Sequence, residues 1–264
     1  MIPKVIHFCW FGGKPLPESA EYCLSTWKKY CPDYEIRRWD ESNFDVTCCR
    51  YVKEAYELKK WAFVSDYARF HILAEYGGIY LDTDVELLKP LDPLLACSAY
   101  AGIEKNAYGI TVNAGLGIAF EAGHPLLMEI LSHYQSIPFV KNGIADTATT
   151  VCHYVTGILN KYGFIQQDAQ QQVAGLTIYP SDYFSPKDFM SGKTQITPNT
   201  YSIHHYDCSW YTAEEIDAMK LRRKLSKCLP SKAAGRLSYF ISLCRHRGFF
   251  KALKRSFNRA KEKL

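Results

Sequence analysis

The sequence predicts an α/β domain. Two observations lead there. Short apolar runs rich in Val, Ile, Phe and Tyr alternate along the chain with longer segments of helical character. Gly and Pro punctuate the junctions between them. Size and composition agree with one large globular domain, or one domain with a small appendage: 264 residues, 47% hydrophobic and 22% charged. A wholly disordered chain and a collagen-like one are excluded.

The elements follow in order. Lys4–Phe8 reads as a short buried strand, closed by the turn Trp10-Phe11-Gly12-Gly13. Pro17–Tyr30 reads as a helix with Pro near its start, and Tyr34–Trp39 as a second strand. Residues 51–60 form a charged helix. Trp61–Tyr76 is the clearest helix, with Phe63, Phe70 and Leu73 free to share a stripe and Gly77-Gly78 to end it. Ile79-Tyr80-Leu81 is a strand broken by Asp82-Thr83-Asp84, and Val85–Leu88 continues into Pro90. Strands follow at 99–103 and 115–120, helices at 125–135 and 147–161, and strands again near 176–179 and 201–205.

The ten cysteines show no C-x-x-C pair and no zinc-ligand spacing, so they read as reduced, mostly buried thiols. The net charge of +5 hides an asymmetry. Residues 220–264 hold fifteen Lys or Arg against Glu262 alone, a charge of +14, whereas residues 1–219 sum to −9. The expected organisation is a main domain over residues 1–218 and a basic amphipathic helical tail over 219–264. In the tail Phe249, Leu253 and Phe257 recur at four-residue steps, with Lys251, Lys254, Arg255 and Arg259 largely on other faces. Such a helix suits an anionic membrane surface. No nucleic-acid-binding fold accompanies the basic charge, so no nucleic acid is expected as partner.

Asp82-Thr83-Asp84 is the first chemical motif. Two carboxylates on alternate residues at a strand end can converge on one hard cation, Mg²⁺ or Mn²⁺, whose other ligands come from phosphate and water. A polar turn has the same three residues, so context matters. Asp66 and Arg69, spaced i and i+3 on the preceding helix, share one face. An exposed pair there would mean little; pointed into a cleft, it could bind sugar hydroxyls or balance a phosphate. No phosphate loop, EF-hand loop or nucleophilic triad is signalled.

The run Ser65-Asp66-Tyr67-Ala68-Arg69-Phe70, followed by Leu73-Ala74-Glu75-Tyr76-Gly77-Gly78-Ile79-Tyr80-Leu81-Asp82-Thr83-Asp84, resembles the sugar-binding region of family 32 glycosyltransferases. Initiating yeast-type mannosyltransferases and the catalytic domains of clostridial glucosylating toxins share it. Ile6-His7-Phe8-Cys9-Trp10-Phe11-Gly12 is similar to that family's nucleotide-binding opening, and Ser202–Trp210 to its closing H-x-x-x-S-W element, with Cys208 where a Gly is usual. The resemblance is dense over residues 62–90, looser at 2–13 and 201–210, and thin elsewhere.

It implies a GT-A fold, a single Rossmann-like nucleotide-sugar-binding domain with a mixed central sheet. It also implies a nucleotide-sugar donor, a divalent metal and retention at the anomeric carbon. By position, Trp10 would lie near the donor's base or ribose, and Asp66 and Arg69 would bind the donor sugar. Asp82 would contact sugar or ribose and help hold the metal; Asp84 would ligate it directly. Ser209 and Trp210 would donate to the diphosphate. Adjacent strand residues face opposite sides, so one of His204 and His205 joins the metal, and His205 is the expected one. Asn113 and Asp146 are candidates for the acceptor side, against the plainer readings of a turn and a helix N-cap.

The function expected is metal-dependent, retaining transfer of a hexose, from UDP-galactose or UDP-glucose, to a glycan or lipid-linked sugar in surface polysaccharide synthesis. The rival of a different class is a non-catalytic sugar-nucleotide or glycan-binding module; intact Asp66, Arg69, Asp82 and Asp84 speak against it. The N-terminus enters a strand-like run with no signal-peptide core, and no stretch of eighteen uncharged apolar residues occurs. The expected location is therefore the cytoplasm, peripheral to the inner face of its membrane.

Overall fold

A computed structural model describes residues 1–106, 109–208 and 211–253. The chain runs β1 (Val5–Cys9), α1 (Glu18–Tyr30), β2 (Glu35–Trp39), α2 (Arg50–Glu57), α3 (Trp61–Tyr76), β3 (Gly78–Tyr80), β4 (Val85–Leu87), β5 (Ala99–Asn106), β6 (Gly109–Asn113), β7 (Ile118–Phe120) and α4 (Pro125–Ser136). It continues with β8 (Val140–Lys141), β9 (Ile144–Ala145), α5 (Val151–Asn160), β10 (Gln171–Val173), β11 (Leu176–Tyr179), α6 (Ser181–Phe184), β12 (Ser202–His204), α7 (Ala213–Leu225) and α8 (Ser231–Arg247). Two compact units result. The first joins Met1–Lys187 to Gln195–Tyr206; the second joins Asp188–Thr194 to the chain from Asp207 onward.

The first unit is built on an eight-stranded sheet among the described residues, in the order β10-β11-β5-β7-β3-β1-β2, with β6 on β5. β1 runs parallel to both β2 and β3, whereas β7 is antiparallel to β3 and β5. This is the mixed central sheet of the α/β domain that the sequence predicts. Alternation along the strands feeds two apolar cores. Ile6 and Phe8 of β1, Ile79 of β3 and Tyr100 of β5 enter one, with Trp27 of α1. Cys9, Tyr80, Ala99, Ala101 and Ile103 enter the other, with residues of α2, α3, α4 and α5. Helices on both faces thus bury both sides of short, near-continuous apolar strands.

The passage from α3 into β3 needs glycine. Gly78 has φ 100°, and a Cβ there would stand 2.7 Å from the Val5 carbonyl oxygen. His7 supports the same junction: its Nε2–H donates to the Gly77 carbonyl at 3.0 Å, and its Nδ1 accepts from the Trp39 indole at 3.0 Å. These partners call for the neutral ring, and burial pushes the His7 pKa down to about 4.

Beyond β3 the chain leaves the main sheet. β4 pairs instead with β12, antiparallel, with His204 opposite Val85, Ile203 opposite Glu86 and Ser202 opposite Leu87. Helix α1 fastens this ribbon: the buried Trp27 indole donates to the Val85 carbonyl at 2.7 Å, and Thr26 Oγ1 accepts from the Leu87 amide at 2.9 Å.

The second unit contains α7 and α8. A capping box of Thr212 and Glu215 starts α7. Glu214 pairs with Arg247, and Asp217 with Arg245 at 3.0 Å. Ser242 Oγ donates to the Glu214 carbonyl at 2.7 Å. This unit therefore takes in more than the basic extension read from the sequence. Gly248 ends α8 and helical backbone resumes at Phe249, while Phe257, Lys254, Arg255 and Arg259 lie outside the described residues. No helix among the described residues is long and apolar enough to cross a membrane. All ten cysteines are thiols, four of them buried, four half-buried, and Cys48 and Cys228 exposed.

Candidate active site

Helix α3 carries Asp66 and Arg69 on a face that is wholly buried, 7% and 3% exposed. Arg69 Nη2 donates to Asp66 Oδ1 at 2.9 Å and lies 3.3 Å from Asp82 Oδ1. Its Nε donates to the Ser65 carbonyl at 3.1 Å, and its guanidinium sits over the Tyr80 ring, 4.6 Å from the centroid. Nη1 is buried with no partner among the described residues, an expensive condition for a charged donor.

Asp82 lies just past the carboxyl end of β3, where open α/β sheets gather their ligands. Its amide donates to the Gly115 carbonyl at 3.4 Å, and its own carbonyl accepts from Val85 at 3.0 Å, turning the chain toward β4. Gly115 is required there. A Cβ on it would stand 2.2 Å from Asp82 Oδ2 and 3.2 Å from Asn113 Oδ1. Asn113 is tied into this turn: Oδ1 accepts from the Gly115 amide at 2.7 Å, and Nδ2 donates to Glu104 Oε2 at 2.5 Å.

The histidine brought to the motif is His204, not the expected His205. Its Nε2 lies 3.1 Å from Asp84 Oδ1, its Nδ1 is buried without a partner, and the Tyr206 ring packs edge-on at 4.3 Å. His205 turns away and sets Nε2 2.8 Å from Glu86 Oε2. The physical reason is register. Paired residues share a side, so register puts His204 with Val85 and His205 with Glu86; Asp84 lies in the turn ahead of β4, outside that alternation, and its carboxylate meets the His204 side.

Asp82, Asp84 and His204 each offer one ligand atom, all within 4.8 Å of one another. Two hard carboxylate oxygens and an imidazole fit Mn²⁺ or Mg²⁺, the nitrogen favouring a Mn²⁺-like ion. The electrostatics agree. Burial pushes the Asp66 pKa up to about 7, with Arg69 opposing the rise and Asp82 adding to it. Burial also raises Asp82, against Arg69, and the Asp84 charge raises it further. Burial alone would lower His204, but the Asp84 and Asp82 carboxylates outweigh it and raise it. Three carboxylates face one guanidinium and one imidazole. Added positive charge would relieve them.

The other expected residues are dispersed. Trp10 follows β1, half-buried, with its indole donating to the Lys14 carbonyl at 2.7 Å. Asp146 is occupied by Lys141 Nζ at 2.7 Å and by the amide and hydroxyl of Thr149, as a turn-former ahead of α5. Ser209 and Trp210 lie outside the described residues. Sequence reasoning missed the backbone of Val151, at the start of α5, which favours the charged form of Asp66. It placed Gly115 in the Asn113-Ala114-Gly115 turn without its approach to Asp82, and gave Tyr206 no role. An Asn-Ala-Gly turn carries no local sign of its distant aspartate.

Residues 17–101 match the family described as the glycosyltransferase sugar-binding region containing a DXD motif. Inositol phosphoceramide mannosyltransferase 3 of Schizosaccharomyces pombe is 31% identical over 152 residues, which are 52% of this chain and 38% of that protein. Mannosyl phosphorylinositol ceramide synthase SUR1 of Saccharomyces cerevisiae is 32% identical over 108 residues, 38% of this chain and 27% of that protein. The chain thus spans less than half the length of these curated relatives. Among solved structures, galactosyltransferase LgtC with donor and acceptor sugar analogs overlaps at TM-score 0.43 and 16% identity, over 88% of this chain and 99% of that one. Residues 17–101 are thus similar to the glycosyltransferase sugar-binding regions that contain a DXD motif.

Proposed function

We propose that the protein is a metal-dependent hexosyltransferase that uses a nucleotide-sugar donor. The observation that carries this reading is the buried convergence of Asp66, Arg69, Asp82, Asp84 and His204, with an excess of carboxylate and an unpartnered guanidinium nitrogen. A divalent cation held by Asp82, Asp84 and His204 would offset the charge that grows on the leaving diphosphate. Arg69 Nη1 is a buried donor in want of an acceptor, which a donor hydroxyl or phosphate oxygen would supply. Asp66, oriented by Arg69, would accept hydrogen bonds from sugar hydroxyls. Transfer with retention breaks the bond from the anomeric carbon to the phosphate oxygen and forms one to the acceptor oxygen on the same face. The acceptor proton passes to the departing phosphate.

The donor is a hexose nucleotide and the acceptor a glycan or lipid headgroup. The sequence expectation favours UDP-galactose or UDP-glucose and surface polysaccharide. Two relatives named for mannosyl transfer to inositol phosphoceramide support a mannosyl donor and a lipid acceptor instead. A thermal-shift panel of UDP- and GDP-hexoses with Mn²⁺ separates them. Stabilisation by one sugar nucleotide beyond its free nucleoside diphosphate supports the transferase reading. No stabilisation by any of them contradicts it.

A lipid acceptor agrees with peripheral binding to an anionic, cytoplasm-facing membrane through the second unit. There Phe249 and Phe250 are 56% and 85% exposed, beside Arg245, Arg247 and Lys251. Each basic side chain near such a surface contributes ~1 kcal/mol. Joint Phe249→Ser and Phe250→Ser substitution should weaken sedimentation with phosphatidylserine vesicles, and added salt should weaken it in the unaltered protein. Equal sedimentation of both proteins would refute the membrane reading.

A further inference from the structure

The side of the β4–β12 ribbon turned away from the cation ligands carries its own network. His205 is gripped in four places, one of them Lys187 Nζ at 3.4 Å from its Nδ1. Its amide donates to the Asp84 carbonyl at 2.9 Å, one step beyond the last ladder pair. Its Nε2 lies 2.8 Å from Glu86 Oε2, and its carbonyl accepts from Lys187 Nζ at 3.0 Å. Glu86 is held in turn by the Tyr22 hydroxyl of α1, which donates to Oε1 at 2.7 Å. Immediately afterward the chain turns through Tyr206, at φ 57°.

We propose that Glu86, His205 and Lys187 form a brace that positions His204 and Asp84 for a divalent cation. The inference rests on the metal reading given above. Its physical basis is the alternation of a strand: successive side chains leave opposite sides, so fixing the rotation of residue 205 fixes that of residue 204. β12 is only three residues long and ends at His204. The ladder alone therefore leaves that histidine at a frayed end, where a misplacement of an ångström loses a ligand. The hydrogen bond that the His205 amide donates to the Asp84 carbonyl joins the backbones of the two ligand-bearing segments directly. Glu86, His205 and Lys187 are positioning residues, since none of them contributes to the ligand group.

The test is Mn²⁺ binding, read as loss of the free-ion signal in electron paramagnetic resonance, independently of any turnover. Glu86→Ala and Lys187→Met should each weaken Mn²⁺ affinity by ~10-fold or more, the size of effect expected when the support of a metal ligand is removed. Glu86→Gln, which keeps an acceptor for His205 but not a second for Tyr22, should fall between Glu86→Ala and the unaltered protein. Circular dichroism checks that each variant folds. If Glu86→Ala does not fold, Glu86→Gln and Lys187→Met carry the test. Folded variants that bind Mn²⁺ as the unaltered protein does, while Asp84→Ala loses it, overturn the brace and leave the metal site standing. If Asp84→Ala also binds normally, the metal reading itself fails.

Discussion

Arg69 and Arg245 each hold an aspartate at nearly the same distance, 2.9 Å and 3.0 Å, in different units of the chain. The Arg69 side chain is 3% exposed and that of Arg245 57%. Burial is what separates them. Around Arg69 the carboxylates of Asp66 and Asp82 are pushed toward neutrality by lost solvation, and one guanidinium nitrogen is unsatisfied. Water screens the Arg245 pair, which joins α7 to α8 at the surface. A buried, incompletely compensated cluster is poor design for stability and good design for capturing a charged ligand.

The largest effect should come from Asp84→Ala. It removes a ligand and no core contact, so transfer and donor hydrolysis in Mn²⁺ should fall below detection with the fold intact. Activity near that of the unaltered protein would show that the acidic pair is only a turn.

Arg69→Ala should cost about 3–5 kcal/mol in denaturant unfolding, because it strands two buried carboxylates. Arg69→Lys should restore part of the stability but little of the donor binding, since a point charge cannot span Asp66, Asp82 and the Ser65 carbonyl together. An equally small cost for both variants would place Arg69 with the surface pairs.

His7 gives a pH-dependent version of the same comparison. Its folded pKa, about 4, lies below its ordinary 6.5, so the unfolded chain binds the extra proton first. Stability is fully present above the unfolded value and is lost as pH falls toward the folded one. The loss amounts to about 3 kcal/mol between those limits. His7→Gln should flatten that part of the stability–pH curve. An unchanged slope would mean that the ring is protonated in the folded chain.

Arg245→Ala should change stability least, by about 0.5 kcal/mol or less, and the change should shrink in salt. A cost comparable to that of Arg69→Ala would erase the distinction between the two regions.

Much of this was legible in the sequence, and the limits are physical. Helix α3 was readable to the residue because Trp61–Tyr76 is long, periodic and closed by two glycines. The Asp66–Arg69 spacing and the strand-breaking Asp82-Thr83-Asp84 were readable for the same local reasons. Strands β6, β8, β9 and β10 were not, being short and dependent on partners elsewhere in the chain. Alternation required that only one of His204 and His205 face the motif. Which one depends on how the turn before β4 delivers Asp84 to the side of the ribbon that His204 shares with Val85, and no local pattern encodes that turn. Gly115 is similar: its need for glycine exists only because Asp82 is folded against it. The exposed Phe249 and Phe250 were visible as an apolar stripe, but Gly248, which ends α8 ahead of them, resets the helix that carries them.

The most direct measurement of the central claim is calorimetric titration of Mn²⁺ into the protein in the presence of a nucleoside diphosphate, repeated with Asp84→Ala. The expected result is one Mn²⁺ per chain, nucleotide binding that depends on it, and loss of both in the folded variant. Stoichiometric binding that survives Asp84→Ala, or nucleotide binding indifferent to Mn²⁺, would contradict it.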